Sequence, residues 1–154
     1  RGLGDVYKRQ VRYNMDKNVR VIIRGLHNTD SNESDMVIDV KGTYYNKNGK
    51  HYICYEEKDE NSNQTNTNML KMRDDNIELI KRGNNATHLN FEKGKINTTY
   101  YKTFAGNLYI GVDTKYMHVI EGDGRIEARI EYALVMDEQK VSDCVVEILV
   151  IENM

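Results

Sequence analysis

The chain has no proline and no tryptophan, only two phenylalanines and two cysteines, and no long apolar run. Each shortage narrows what the protein can be. No stretch approaches the ~18 consecutive apolar residues of a membrane-spanning helix, so a membrane is not an expected partner. No charged segment followed by an apolar one argues for export, and a cytoplasmic location is expected. Cys54 and Cys144 sit within apolar runs, where a reduced thiol behaves as a small hydrophobe; a disulfide is the less favoured alternative. Without export, the Asn-x-Ser/Thr triplets at Asn32, Asn63, Asn85 and Asn97 carry no glycosylation meaning. Acidic and basic residues interleave and sum to a formal net charge of −2, so no basic stripe is present to track phosphates and nucleic acid is not an expected partner.

Motifs of chemistry are missing too. There is no G-x-S-x-G, no P-loop and no G-x-G-x-x-G, and Gly122-Asp123-Gly124 reads as a turn. His27, His51, His88 and His118 fall singly in separate segments, with none of the i, i+2 or i, i+4 pairs that build a metal site locally. Convergence in three dimensions stays open, but no metal and no cofactor is expected. No nucleophile has a positive case, and an enzyme using Glu56 with Arg82 is the least favoured of the readings.

Hydrophobic residues at 39% and charged residues at 30% describe a globular chain rather than a disordered or membrane-embedded one. A domain of this size buries roughly two-thirds of its unfolded surface, enough for one core. The opening R-G-L-G-D-V-Y-K-R-Q has no initiator Met, no periodicity and no relation to the segments beyond it. Residues 1–14 are therefore expected to be a non-native or disordered leader, with 15–154 a single domain.

What the chain does have is alternation. From Arg125 to Met136, Ile126, Ala128, Ile130, Tyr132, Leu134 and Met136 fall on one face while Arg125, Glu127, Arg129 and Glu131 fall on the other, the pattern of a strand with one dry side. Val19, Val21 and Ile23 repeat it, as do Met36, Ile38, Val40, Gly42 and Tyr44 after the polar stretch Asn28 to Asp35. Asn46-Lys47-Asn48-Gly49 supplies a tight turn into His51 to Glu57, because Asn and Gly accept positive φ. Hairpin signals recur at Arg73 to Asn76, Gly83 to Asn85, Lys93 to Lys95, Ala105 to Asn107, Gly122 to Gly124 and Asp137 to Lys140, with Leu108 to Val112 and Tyr116 to Ile120 as separate alternating pieces. No window keeps a 3.6-residue stripe.

Short strands joined in sequence by tight turns make an antiparallel meander, and a meander of this length must curl to hide its edges. The expected fold is all-β, an antiparallel up-and-down barrel of about eight to ten strands; a two-layer sandwich with crossovers is the rival, disfavoured by the short connections.

Several residues in order also carry a resemblance. Tyr44-Tyr45-x-Lys47-x-Gly49-Lys50-x-Tyr52-x-x-Tyr55-Glu56-Glu57, then Arg82-Gly83, Phe91-Glu92-x-Gly94, Tyr101-x-Thr103-x-x-Gly106-x-Leu108, Thr114 and Ile126 to Leu134 resemble the YwiB-like family. These are small bacterial proteins, frequent in Firmicutes, with a domain of unknown function. The resemblance implies a calycin-like (lipocalin-like) β-barrel and transfers no catalytic residue.

Within such a barrel the candidate ligand-binding residues are Tyr44, Tyr55, Glu56, Arg82, Tyr101 and Tyr132. Tyrosines bury a ring and keep a hydroxyl, which suits a pocket lining or a packed interior equally. Adjacent strand residues face opposite sides, so only one of Glu56 and Glu57 points inward. Glu56 is either an inward carboxylate or an exposed strand end. Arg82 shares a face with Ile80; an inward guanidinium fixes an anionic head group or pairs with Glu56, and an outward one caps the barrel end. The expected partner is a small, partly apolar ligand in the barrel. The alternative is a solid barrel acting as a protein-interaction module or homodimer, suggested by Val145, Leu149 and Ile151 on the second face of the last strand.

Overall fold

The computed structural model describes residues 17–25, 37–58, 63–83, 86–103 and 106–153, with residues 101–103 described by their backbone alone. The expected leader 1–14, Met36 and the whole polar stretch 28–35 before it lie outside these. The described residues form ten strands: β1 (Lys17–Arg24), β2 (Val37–Lys47), β3 (Lys50–Lys58), β4 (Thr65–Arg73), β5 (Asn76–Lys81), β6 (Thr87–Glu92), β7 (Ile96–Thr103), β8 (Gly106–Gly122), β9 (Arg125–Met136) and β10 (Gln139–Glu152). Among the described residues there is no helix long and apolar enough to cross a membrane.

All ten strands join one antiparallel sheet in the order β6-β5-β4-β3-β2-β1-β10-β9-β8-β7, curled into a nearly closed barrel. Consecutive strands therefore neighbour one another as the short turns require, and β1 closes against β10 through pairs running from Val19↔Glu152 to Arg24↔Glu147. The β2–β3 turn has the chemistry its sequence announces: Asn48 and Gly49 adopt φ of 55° and 78°, the twist that a two-residue hairpin needs.

One gap departs from the simple meander. β6 and β7 are consecutive in sequence yet share no backbone ladder. Side chains bridge them instead: Thr99 Oγ1 donates to the His88 carbonyl (2.5 Å), Asn97 Nδ2 to the Asn90 carbonyl (3.2 Å) and Thr87 Oγ1 to the Tyr100 carbonyl (3.5 Å). Thr87 and Thr99 are buried, so these bonds satisfy carbonyls that the missing ladder leaves over. The β6–β7 turn is tied to β8 by Gly94 N–H to Thr114 O and Thr114 N–H to Lys95 O, at 3.0 and 3.1 Å.

The alternation becomes burial wherever the pleat directs it. Val21, Ile53, Leu70, Met72, Ile77, Val112 and Ile130 are fully buried and belong to one cluster that also takes in Tyr55, Phe91 and Tyr132. Val40 and Tyr44 pack against the same cluster, so they share the interior with Ile130 and Tyr132. On the outside, Arg129 meets Glu131 and Glu147 at 3.7 and 3.6 Å, the wet face expected of β9.

Two bulges correct the strand list. Lys115 is an extra residue between the pairs Thr114↔Tyr132 and Tyr116↔Glu131, and Val141 is extra between Lys140↔Val135 and Ser142↔Leu134. The pieces 108–112 and 116–120, expected as separate strands, are one 17-residue β8 whose inward parity changes at the bulge: Ile110, Val112 and Thr114 before it, Met117 and Val119 after it.

If the side chains seal the β6–β7 seam, Thr99→Val, which keeps the shape and removes the donor, costs about 1–2 kcal/mol. Urea unfolding with an unchanged midpoint contradicts this.

Candidate functional site

Strand direction sorts the barrel into two ends. At the end where β1 begins and β10 finishes, the β2–β3 and β8–β9 turns join them to line a cleft of about 930 Å³. That lies within the range of about 300–1,000 Å³ usual for small-molecule sites. Val19, Ile126 and Val150 give it a buried apolar surface, and Lys17, Lys47, Arg125 and Glu152 stand around it. Lys17 lies 4.0 Å from Glu152, while Arg125 Nε donates at 2.9 Å to Glu127, outside the cleft lining.

A chain of side chains crosses this cleft. His51, only 7% exposed, is the second residue of β3 and stands directly opposite Asn46 of β2. Its Nδ1 lies 2.7 Å from the Tyr44 hydroxyl and 3.4 Å from Asn46 Nδ2, and its Nε2 contacts Glu121 Oε1 on β8. The Tyr44 and His51 rings are 5.6 Å apart. Glu121 enters because the Lys115 bulge places it in phase with Met117 and Val119. A carboxylate only accepts, so Nε2 carries the ring proton it shares with Glu121.

Of the candidates from sequence, the structure brings Tyr44 into this cleft. Tyr55 and Tyr132 lie in the packed interior, at 2% and 4% exposure, with Tyr132 edge-on to Phe91 at 4.9 Å. Tyr101 pairs with Leu108 in β7, and its side chain lies outside the described residues. For both Glu56 and Arg82 the structure takes the outward alternative. Tyr55 takes the inward position, so Glu56 points out and is exposed, and Glu57 is the inward carboxylate, receiving Asn68 Nδ2 at 2.7 Å and Lys81 Nζ at 3.7 Å. On β5, Ile77 and Leu79 are the buried residues, which puts Ile80 and Arg82 on the other face; Arg82 is exposed beyond the strand end. Glu56 and Arg82 also sit at the end of the barrel away from Tyr44.

His51, Asn46 and Glu121 are the residues missed as a group. The first two were within reach, since a two-residue turn at Asn48-Gly49 sets Asn46 across from His51. Glu121 was not, because its inward position depends on a one-residue bulge that alternation alone does not announce. Cys144 is a free, buried thiol.

The fold and the cleft define a class: a small antiparallel barrel with a packed interior and a polar, half-open mouth. Residues 21–148 match a family described as a domain of unknown function (DUF1934), and the chain belongs to that family. Its fold is similar to the crystal structure of the ywiB protein from Bacillus subtilis, with a TM-score of 0.74 at 17% identity, covering 94% of this chain and 99% of that one. The resemblance to YwiB-like proteins is thus borne out. Among curated proteins none matches the chain in sequence.

The interior makes its own prediction. Burial, reinforced by the Glu57 carboxylate, raises the pKa of the Tyr55 hydroxyl; Asn68 opposes the shift in part but makes no well-aligned hydrogen bond with it. An unfolded tyrosine ionises near about pH 10 while folded Tyr55 keeps its proton, so stability is full below that pH and falls as pH rises above it. Tyr55→Phe is expected to leave stability at neutral pH unchanged or higher and to flatten the alkaline decline. Denaturation midpoints measured against pH check this; parallel alkaline limbs in the two proteins contradict it.

Proposed function

We propose that the protein binds a small, partly apolar ligand at the mouth of its barrel. The observation that carries this reading is the cleft itself: about 930 Å³ where Val19, Ile126 and Val150 meet the Tyr44–His51–Glu121 chain. An apolar surface with a few fixed polar groups is the usual make-up of a ligand site. The site moves from the barrel interior to its mouth, since Tyr55, Phe91, Ile53, Leu70 and their neighbours fill the interior. Binding is favoured over catalysis because both ring nitrogens of His51 are engaged, one with Glu121 and one with Tyr44 and Asn46, so the imidazole is not placed to act on a ligand directly. The free, buried Cys144 thiol fits the reducing conditions of the cytoplasm, which we take as the protein's location.

A second reading rests on a different surface. Ile96, Tyr100 and Tyr109 are 61%, 54% and 66% exposed on the outer face of β7 and β8, where Tyr100 and Tyr109 pair across the strands. That face suits a protein partner or a second copy. Titrating benzyl alcohol into nitrogen-labelled protein separates the two. Amide shifts concentrated at Val19, Tyr44, His51, Ile126 and Val150 are expected. Shifts concentrated at Ile96, Tyr100 and Tyr109, or no shifts at all, count against the mouth.

A further inference from the structure

Hydrogen bonds around the cleft fix one another's direction, beginning from a backbone amide. Gly49 N–H donates to Asn46 Oδ1 at 3.3 Å, and a backbone N–H cannot do otherwise. That contact settles which end of the Asn46 amide is oxygen, so the group facing His51 Nδ1 at 3.4 Å is the Nδ2 donor. Nδ1 is then an acceptor, in agreement with Nε2 holding the proton shared with Glu121. The Tyr44 hydroxyl, 2.7 Å from that bare nitrogen, must give it its one proton. Whatever else the Tyr44 oxygen accepts, it has no second proton to give.

We infer that the cleft selects ligands carrying a hydrogen-bond donor, a hydroxyl or an amine, which is received by the Tyr44 oxygen. This rests on the mouth being a ligand site and specifies what that site requires. Tyr44 lines the cleft beside Val19, so the donor sits at the polar wall and the rest of the ligand lies against Val19, Ile126 and Val150. A ligand that offers only an acceptor there meets lone pairs with lone pairs. A site polarised in this way discriminates by setting acceptor against acceptor, which excludes a ligand more strongly than a missing methyl group does. Asn46, His51 and Glu121 are positioning residues: none needs to touch the ligand, and together they hold the Tyr44 proton away from it.

Phenol and anisole test the inference, because they share a ring and differ in the donor. With binding read from the cleft amides, phenol is expected to bind roughly tenfold more tightly than anisole, the value of about one hydrogen bond. In Tyr44→Phe the preference disappears. Asn46→Asp is the sharper variant, since it keeps Tyr44 and the bond from Gly49 N–H but turns a carboxylate oxygen towards Nδ1. Nδ1 then takes up a second ring proton while Nε2 keeps the one it shares with Glu121, the Tyr44 hydroxyl is released to donate towards the cleft, and phenol and anisole come to near parity. Equal binding of both probes at the cleft in the unaltered protein, or an undiminished phenol preference in Asn46→Asp, overturns the inference and leaves the mouth as a ligand site. Absence of any shift at the cleft with either probe overturns the site and the inference together.

Discussion

The ladder between β1 and β10 is the contact on which the rest of the barrel depends. Without it, β1 to β6 and β7 to β10 are two open meanders, each with long pairable edges. With it, Val19, Val21 and Ile23 face the interior alongside Val146, Ile148 and Val150, and each fully buried aliphatic side chain of this kind is worth roughly 1.5–3 kcal/mol. The ladder runs between strands separated by most of the sequence, so its closure costs chain entropy that local turns do not. The two-residue hairpins offset part of this by setting most neighbouring pairs in advance.

Closure at β1–β10 also explains where the irregularities fall. A twisted sheet that curls on itself has to absorb the mismatch somewhere, and here it does so at the Lys115 and Val141 bulges and along the β6–β7 seam. At the seam, Asn97 and Thr99 donate to carbonyls of β6, so the barrel is completed by side chains where the backbones do not pair. The same closure builds the mouth, since Val19 of β1 and Val150 of β10 both stand in the cleft wall.

Much of this is legible in the sequence, and the exceptions share a cause. Period-two alternation places Ile126, Ala128, Ile130 and Tyr132 inside, and Asn48-Gly49 locates a hairpin, because both signals depend only on neighbouring residues. Alternation does not carry an absolute phase across a loop, however. Arg82 has the parity of Ile80, but nothing local tells that Ile77 and Leu79, rather than Ile80, look inward. A bulge shifts phase inside a strand, and so Glu121 reaches the mouth unannounced while residues 108–112 and 116–120 look like two strands. Tyr44 stands out by its type; its role depends on Asn46, His51 and Glu121, and the last is 70 positions from His51 along the chain.

The mouth therefore depends on the fold at several levels at once: a turn that orients Asn46, a strand pair that sets it against His51, and a bulged strand that delivers Glu121. All three meet in the protonation pattern of a single imidazole. A proton–nitrogen correlation spectrum of the histidine rings at neutral pH reads it directly. The account predicts that His51 carries its proton on Nε2, with Nδ1 showing the shift of a bare, hydrogen-bonded acceptor. A proton on Nδ1 contradicts it.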